Sequence, residues 1–210
     1  MKKLILALLF LLLSCPVFAE TQLAWMGPVI TGTGTVSGGS KSCPTDETLF
    51  LDQLSTADFY SAFYTADNTY AGQGYFDPGA NKTVCTVKIG VRAIAGEGNP
   101  IDMKVTIFAM DTNDLGSSPT GTCVSNTVSV TGAGTFVFPG LDCSLVNGTL
   151  YGIVLHRADN SYDSDNNLSI FVNDASAYSG GFNWWNASKT YVNGSGTDGD
   201  LSMQLYGFTP

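Results

Sequence analysis

Apolar and polar residues alternate with a period of two along several short stretches of the chain. Cys85, Val87, Ile89 and Val91 share one face of a stretch whose other face carries Lys88 and Arg92. Met103, Val105, Ile107 and Ala109 repeat the pattern against Asp102, Lys104 and Thr106. Leu201, Met203 and Leu205 do so near the C-terminus, opposite Ser202 and Gln204, and Leu168, Ile170 and Val172 form a further row with Phe171 on the other side. Successive strand side chains point to opposite faces, so each stretch predicts a half-buried β-strand. Leu150 to Leu155 is apolar on both faces, the pattern of a central strand. Gly, Pro, Asn and Asp clusters separate these runs, and no helical period of useful length follows residue 60. About eight or nine such strands predict an all-β fold, an antiparallel β-sandwich of jelly-roll type over residues 56–210.

The preceding segment reads differently. Residues 20–55 form a lead-in containing the Gly/Ser/Thr tract "TGTGTVSGGS". A short helix fits between Cys43 and Leu54, where Pro44 suits a first turn and Asp46 and Glu47 suit a helix N-terminus. Residues 1–19 have a short basic start, an apolar run and small or apolar residues at Val17 and Ala19, the marks of a secretory signal peptide cleaved before Glu20. "LLSC" offers a second processing route, with lipid attached at Cys15. Both routes export the chain, to a secreted or cell-surface location. No later segment reaches the roughly 20 apolar residues a spanning helix needs.

Charge narrows the partners. Loss of Lys2 and Lys3 with the signal would leave seven basic residues against eighteen acidic ones. Such a surface repels nucleic acid and anionic lipid. Besides Cys15 there are four cysteines, an even set that reads as two disulfides in an exported chain. "CVSNTVSVTGAGTFVFPGLDC" resembles a hairpin turning at Gly132-Ala133-Gly134. A register symmetric about Ala133 sets Val130 against Phe136, Val128 against Phe138 and Cys123 against Cys143, with both sulfurs on the face away from those apolar residues. Cys123–Cys143 is therefore the expected pair, and Cys43–Cys85 follows by exclusion. No cysteine spacing suits zinc, and the single histidine, His156, brings no second ligand.

The order of motifs also carries a resemblance. "AGQGYF" (71–76) precedes "TVKIGVRAI", followed by "MKVTIFAMDTNDLGSSPTG", "LYGIVLHR", "YSGGFNWW" and "GDLSMQLYGF". This resembles the jelly-roll sandwich domains repeated in bacterial and phage surface proteins, including those called choice-of-anchor R, over roughly residues 60–208. Gln204 stands near where that family often has a basic residue, and the added cysteines set the chain apart as a free-standing unit. The resemblance implies a non-catalytic extracellular domain; carbohydrate binding is an analogy at the level of the fold.

Two segments offer candidate sites. In "GGFNWWNASKTYV" (180–192) Trp184 and Trp185 are adjacent, so an extended backbone sends one inward and the other to the outer surface or rim. An exposed indole beside Asn183, Asn186 and Tyr191 suits a sugar, whose C–H groups meet the ring while amides bond its hydroxyls. The competing reading is that both rings are packing. In "DNSYDSDNNLSIFVND", Asp163, Asp165, Asn167 and Asp174 fall at positions one, three, five and twelve of a calcium-loop template. Leu168 replaces the glycine that template needs and a strand follows, which excludes an EF-hand; the alternatives are calcium at a sandwich edge, with no other cofactor implied, or a solvated acidic loop. His156 reads as a strand-end residue, and neither a Gly-x-Ser-x-Gly elbow nor a His-Glu-x-x-His motif is present, so the chain is not expected to be an enzyme. The sequence therefore predicts an exported β-sandwich that binds carbohydrate or another surface polymer. The alternative is a structural subunit of an envelope layer, filament or appendage, with a protein assembly partner.

Overall fold

Fifteen strands and one 3-10 turn (Ala66–Asn68) make up the regular structure of the described residues. The structure, a computed structural model, describes residues 43, 46–96, 100–116, 121–173, 181–194 and 199–210. The first sheet holds β1 (Thr48–Asp52), β2 (Asp58–Ala62), β4 (Lys82–Ala95), β9 (Gly134–Leu145), β11 (Asn167–Asn173), β14 (Asp200–Leu201) and β15 (Met203–Phe208). The second holds β3 (Tyr70–Phe76), β5 (Ile101–Asp111), β6 (Asp114–Leu115), β7 (Cys123–Val124), β8 (Val128–Val130), β10 (Tyr151–Arg157), β12 (Phe182–Trp185) and β13 (Tyr191–Gly194). All pairings are antiparallel.

The longer strands alternate between the sheets along the chain: β3, β5, β10 and β12 lie in the second, β4, β9, β11 and β15 in the first. Such crossing is the connectivity of a jelly-roll sandwich. β4, β5, β10, β11 and β15 match the alternating or two-faced apolar runs of the sequence, and several of the others are edge or very short pieces too brief to show a period. The inward faces form one core, with Val87, Ile89, Val91, Met103, Val105, Ile107, Leu168, Ile170, Val172, Leu201, Met203 and Leu205 all at 0% exposure. Each fully buried aliphatic side chain contributes about 1.5–3 kcal/mol, so this shared face holds the sheets together. Ala109, by contrast, is exposed. β10 is central, between β3 and β5, as its two-faced apolar pattern predicts.

Four sequence expectations are corrected. Residues 48–52 form no helix but strand β1, paired with β15. The free edge of β15 takes up the apolar run Leu49-Phe50-Leu51, and sheet pairing outweighs weak local helix signals. The sandwich therefore starts before residue 56.

The segment 123–143 is not a hairpin either. β8 pairs with β5 and β9 with β4, so the chain at 131–133 crosses from one sheet to the other. Val128, Val130, Phe136 and Phe138 still meet, but across the core and not along a ladder.

Both disulfides are those expected, Cys43–Cys85 and Cys123–Cys143. The second links β7 to β9 and thus joins the two sheets. Its sulfurs do not lie on the opposite face from the apolar residues. The register of β9 shifts opposite Val84 and Thr86, which turns Leu141, Cys143 and Leu145 inward after Phe136 and Phe138. Cys143 belongs to the core and Cys123 packs against it.

Candidate functional site

The outward face of the second sheet is unusual in being apolar near one edge and polar near the other. The register aligns one row across it: Tyr191 opposite Trp185, Trp185 opposite Tyr70, Tyr70 opposite His156, and His156 opposite Lys104. A parallel row runs Asn183, Gly72, Val154, Thr106, Val124. Phe108, opposite Gly152, lies beyond it.

At the apolar end, Tyr70, Phe108, Leu115, Val154 and Trp185 form a second buried cluster, separate from the core between the sheets. Its roof comes from two short connections. β6 brings in Leu115, and the turn between β12 and β13 brings in Lys189. The Leu115 N–H donates to the Lys189 carbonyl at 3.1 Å, the Trp185 indole N–H donates to the Asn113 carbonyl at 3.0 Å, and the Tyr191 N–H donates to Asp114 at 2.8 Å. The Tyr75 hydroxyl adds a bond to the Asn113 side chain.

Two glycines are the sockets of this roof. A Cβ on Gly152 would lie 2.5 Å from Leu115 Cδ2, and one on Gly74 would lie 2.5 Å from the Asn183 amide and 3.5 Å from the Trp185 ring. Lys189 has a φ of 65°, a left-handed conformation that a non-glycine residue adopts at a cost of about 1–3 kcal/mol. It lies in a turn tied by Asn186, whose Oδ1 accepts the N–H groups of Ser188 and Thr190. The Lys189 ammonium sits 4.7 Å from the centre of the Phe108 ring. Burial lowers the pKa of that ammonium.

The polar end is open. A concavity of about 120 Å³ is bordered by Tyr70 and Phe108 on one side, by Lys104, Thr106 and His156 across its floor, and by Asn160 at its mouth. The Tyr70 ring meets Phe108 edge-on at 6.0 Å and lies 5.1 Å from the imidazole. Burial raises the Tyr70 pKa, so its hydroxyl stays protonated and reaches Asn160 Oδ1 at 3.4 Å.

His156 Nδ1 lies 2.8 Å from the Arg157 carbonyl, which can only accept, so that nitrogen carries the proton. Nε2 then accepts from the Thr106 hydroxyl at 2.7 Å. Burial is the largest influence on the imidazole, and with the ammonium groups of Lys104 and Lys189 it outweighs the carbonyl and brings the pKa down to about 4. His156 is therefore neutral at physiological pH, with both nitrogens engaged. Among the described residues no carboxylate borders the concavity.

The residues singled out from sequence are placed as follows. Trp184 and Trp185 do point to opposite faces. Trp184 turns toward the core, meeting Tyr60 and Phe182 edge-on at 5.3 and 5.2 Å. Trp185 turns outward but is 0% exposed under the roof, so it offers no open stacking face. Asn183 is buried and donates to the Gly181 carbonyl. Asn186 ties its turn, and Tyr191 packs against the roofed cluster. Trp185 and Tyr191 therefore belong to the roofed cluster, Asn186 to its turn, and Trp184 to the core between the sheets.

Asp163 accepts the Asp165 N–H, Asp165 accepts from Ser164, and Asn167 directs its N–H₂ at the Ser164 carbonyl, the bonding of a self-contained loop. Asp174 lies outside the described residues, as do Cys15 and the whole of residues 1–19. Among the described residues no group of three or more His, Cys, Asp or Glu is placed to hold a metal, and no helix is long and apolar enough to cross a membrane.

The concavity-lining residues Tyr70, Lys104, Thr106 and Asn160 are absent from the sequence-based candidates. Their signal is subtle: Tyr70, Phe108 and Val154 are large apolar residues on faces that alternation assigns to solvent, next to strand glycines. Scanned against family models, curated proteins and solved structures, the chain matches none.

Proposed function

We propose that the chain is an exported, non-catalytic module that binds a saccharide in the concavity on the outer face of the second sheet. The observation that carries this is the single cross-strand row from Trp185 to Lys104, closed by a roof at one end and open at the other. With Asn160 it sets the rims of two largely buried aromatic rings, a hydroxyl, an amide and an ammonium around one small hollow. Rigid aromatic surface with a few convergent polar groups is what a sugar, apolar on its ring faces and polar at its rim, requires.

A binding role is favoured over catalysis because His156 has both nitrogens occupied and, among the described residues, no acid lines the hollow. Export rests on the signal-like residues 1–19, and two disulfides are compatible with it. The likeness to choice-of-anchor R domains points the same way. Retention on a broad glycan array tests the reading. Wild type should be retained by a subset of glycans, while Tyr70→Phe and Asn160→Ala weaken retention without lowering Tm by more than a few degrees. Equal retention of all three proteins, or none by wild type, would sink it.

A second reading has its own support. Leu49, Leu54 and Phe59 are exposed at 44, 37 and 37% on or beside β1 and β2, the edge of the first sheet. An apolar sheet edge invites strand addition by another chain, as an assembly subunit would use. Light scattering on the purified protein separates the two: a ladder of defined larger species, abolished by Leu49→Lys with Phe59→Lys, would favour assembly.

A further inference from the structure

Lys104 is half-buried and borders the concavity, yet among the described residues its ammonium makes no hydrogen bond, ion pair or ring contact. That is unexpected in a chain with eighteen acidic residues against nine basic ones, where a carboxylate partner is easily supplied. Other cations are engaged. Arg157 pairs with Asp159 and bonds Ser161, Lys88 bonds the Tyr206 hydroxyl, Lys82 bonds Thr209, and Arg92 covers the Phe59 ring. Lys104 is instead held over a floor of buried Thr106 and His156, its strand neighbours. A second ammonium, that of Lys189, lies over the Phe108 ring. Both raise the potential felt at His156, consistent with the direction in which its pKa moves.

Resting on the saccharide reading above, we infer that the ligand is an acidic sugar whose carboxylate is received by Lys104 while its hydroxyls meet Tyr70 and Asn160. A carboxylate restores the missing partner of a half-buried ammonium, and charge-assisted bonds of this kind are about twice as strong as neutral ones. Tyr70 and Phe108, 4 and 2% exposed, contribute only their rims to the border of the hollow.

Calorimetric titration of the intact protein with glucuronic acid, glucose and sodium acetate tests this. Glucuronic acid should bind at least tenfold more tightly than either of the others, and raising salt from 50 to 500 mM should weaken it severalfold. Lys104→Met should remove the preference over glucose, Lys104→Arg should keep most of it, and both should melt within a few degrees of wild type. Equal binding of glucose and glucuronic acid, or an unaltered preference in Lys104→Met, overturns the acidic ligand but leaves the saccharide reading standing. Acetate binding as tightly as glucuronic acid overturns the sugar in favour of a bare anion. Absence of binding by every sugar at 50 mM overturns both readings together.

Discussion

The two sheets present outward faces built by the same alternation and finished in different ways. On the first sheet Lys88 lies along Tyr206, with its ammonium 4.3 Å from the ring centre, and Arg92 covers Phe59 at 3.3 Å, while Phe171 sits opposite Phe59 in the register. These side chains lie flat and partly in water. On the second sheet Tyr70, Phe108, Val154 and Trp185 are no more than 4% exposed, because one short loop and one turn fold over them. A bare face spreads its aromatics under long cations, whereas a roofed face locks them and leaves a hollow where the roof stops. The hollow exists because the roof is narrower than the sheet.

The comparison is sharpest in stability. Trp185→Ala should cost about 3–5 kcal/mol in urea unfolding, since it empties a closed cluster. Phe59→Ala, its counterpart on the bare face, should cost about 1 kcal/mol or less, the scale of an exposed cation–π pair. Similar losses for the two would erase the distinction between the faces.

Acid should act through the roofed face next. The folded pKa of His156, about 4, lies below the ordinary 6.5, so between these values the unfolded chain holds a proton that the folded one lacks. Stability from this group is complete above pH 6.5 and falls as pH drops through that window toward 4, by up to about 3 kcal/mol. Urea midpoints at pH 7.5 and pH 4.5 should therefore differ more for wild type than for His156→Gln. A slope that is the same in both would place the imidazole in water.

The smallest effect concerns the socket. Gly152→Ala sets a methyl against Leu115 Cδ2, the movable end of a side chain, so a cost of about 1–2 kcal/mol is expected. Hydrogen exchange at Leu115 and Lys189 should quicken while that of β4 stays unchanged. Unaltered exchange at the roof would show that Leu115 is not seated there.

Strand existence was legible in β4, β5, β10, β11 and β15, because a period of two needs only local sequence. The crossing at 131–133 was not, since a hairpin and a passage between sheets place the same apolar residues face to face. The cysteine pair was therefore correct although the ladder assumed for it was absent, and the parity change in β9 placed the sulfurs inward. Strand β1 was hidden because its partner β15 is over 150 residues away, as the bond between Thr48 and Gly207 illustrates.

Alternation also separated Trp184 from Trp185 correctly, but it cannot say whether an outward residue reaches water. That depends on Leu115 and Lys189, remote in sequence from each other and joined only by the fold. The candidate row was thus found from its closed end, and its open end, Lys104 and His156, resembled an ordinary solvent face.

The most direct test of the site is amide chemical-shift mapping during titration with glucuronic acid. If the hollow is the binding site, the largest shifts gather at Tyr70, Lys104, Thr106, His156 and Asn160, with little change at Lys88, Arg92 or Phe171. Shifts centred on those three residues of the first sheet, or saturation with no change around His156, would contradict it.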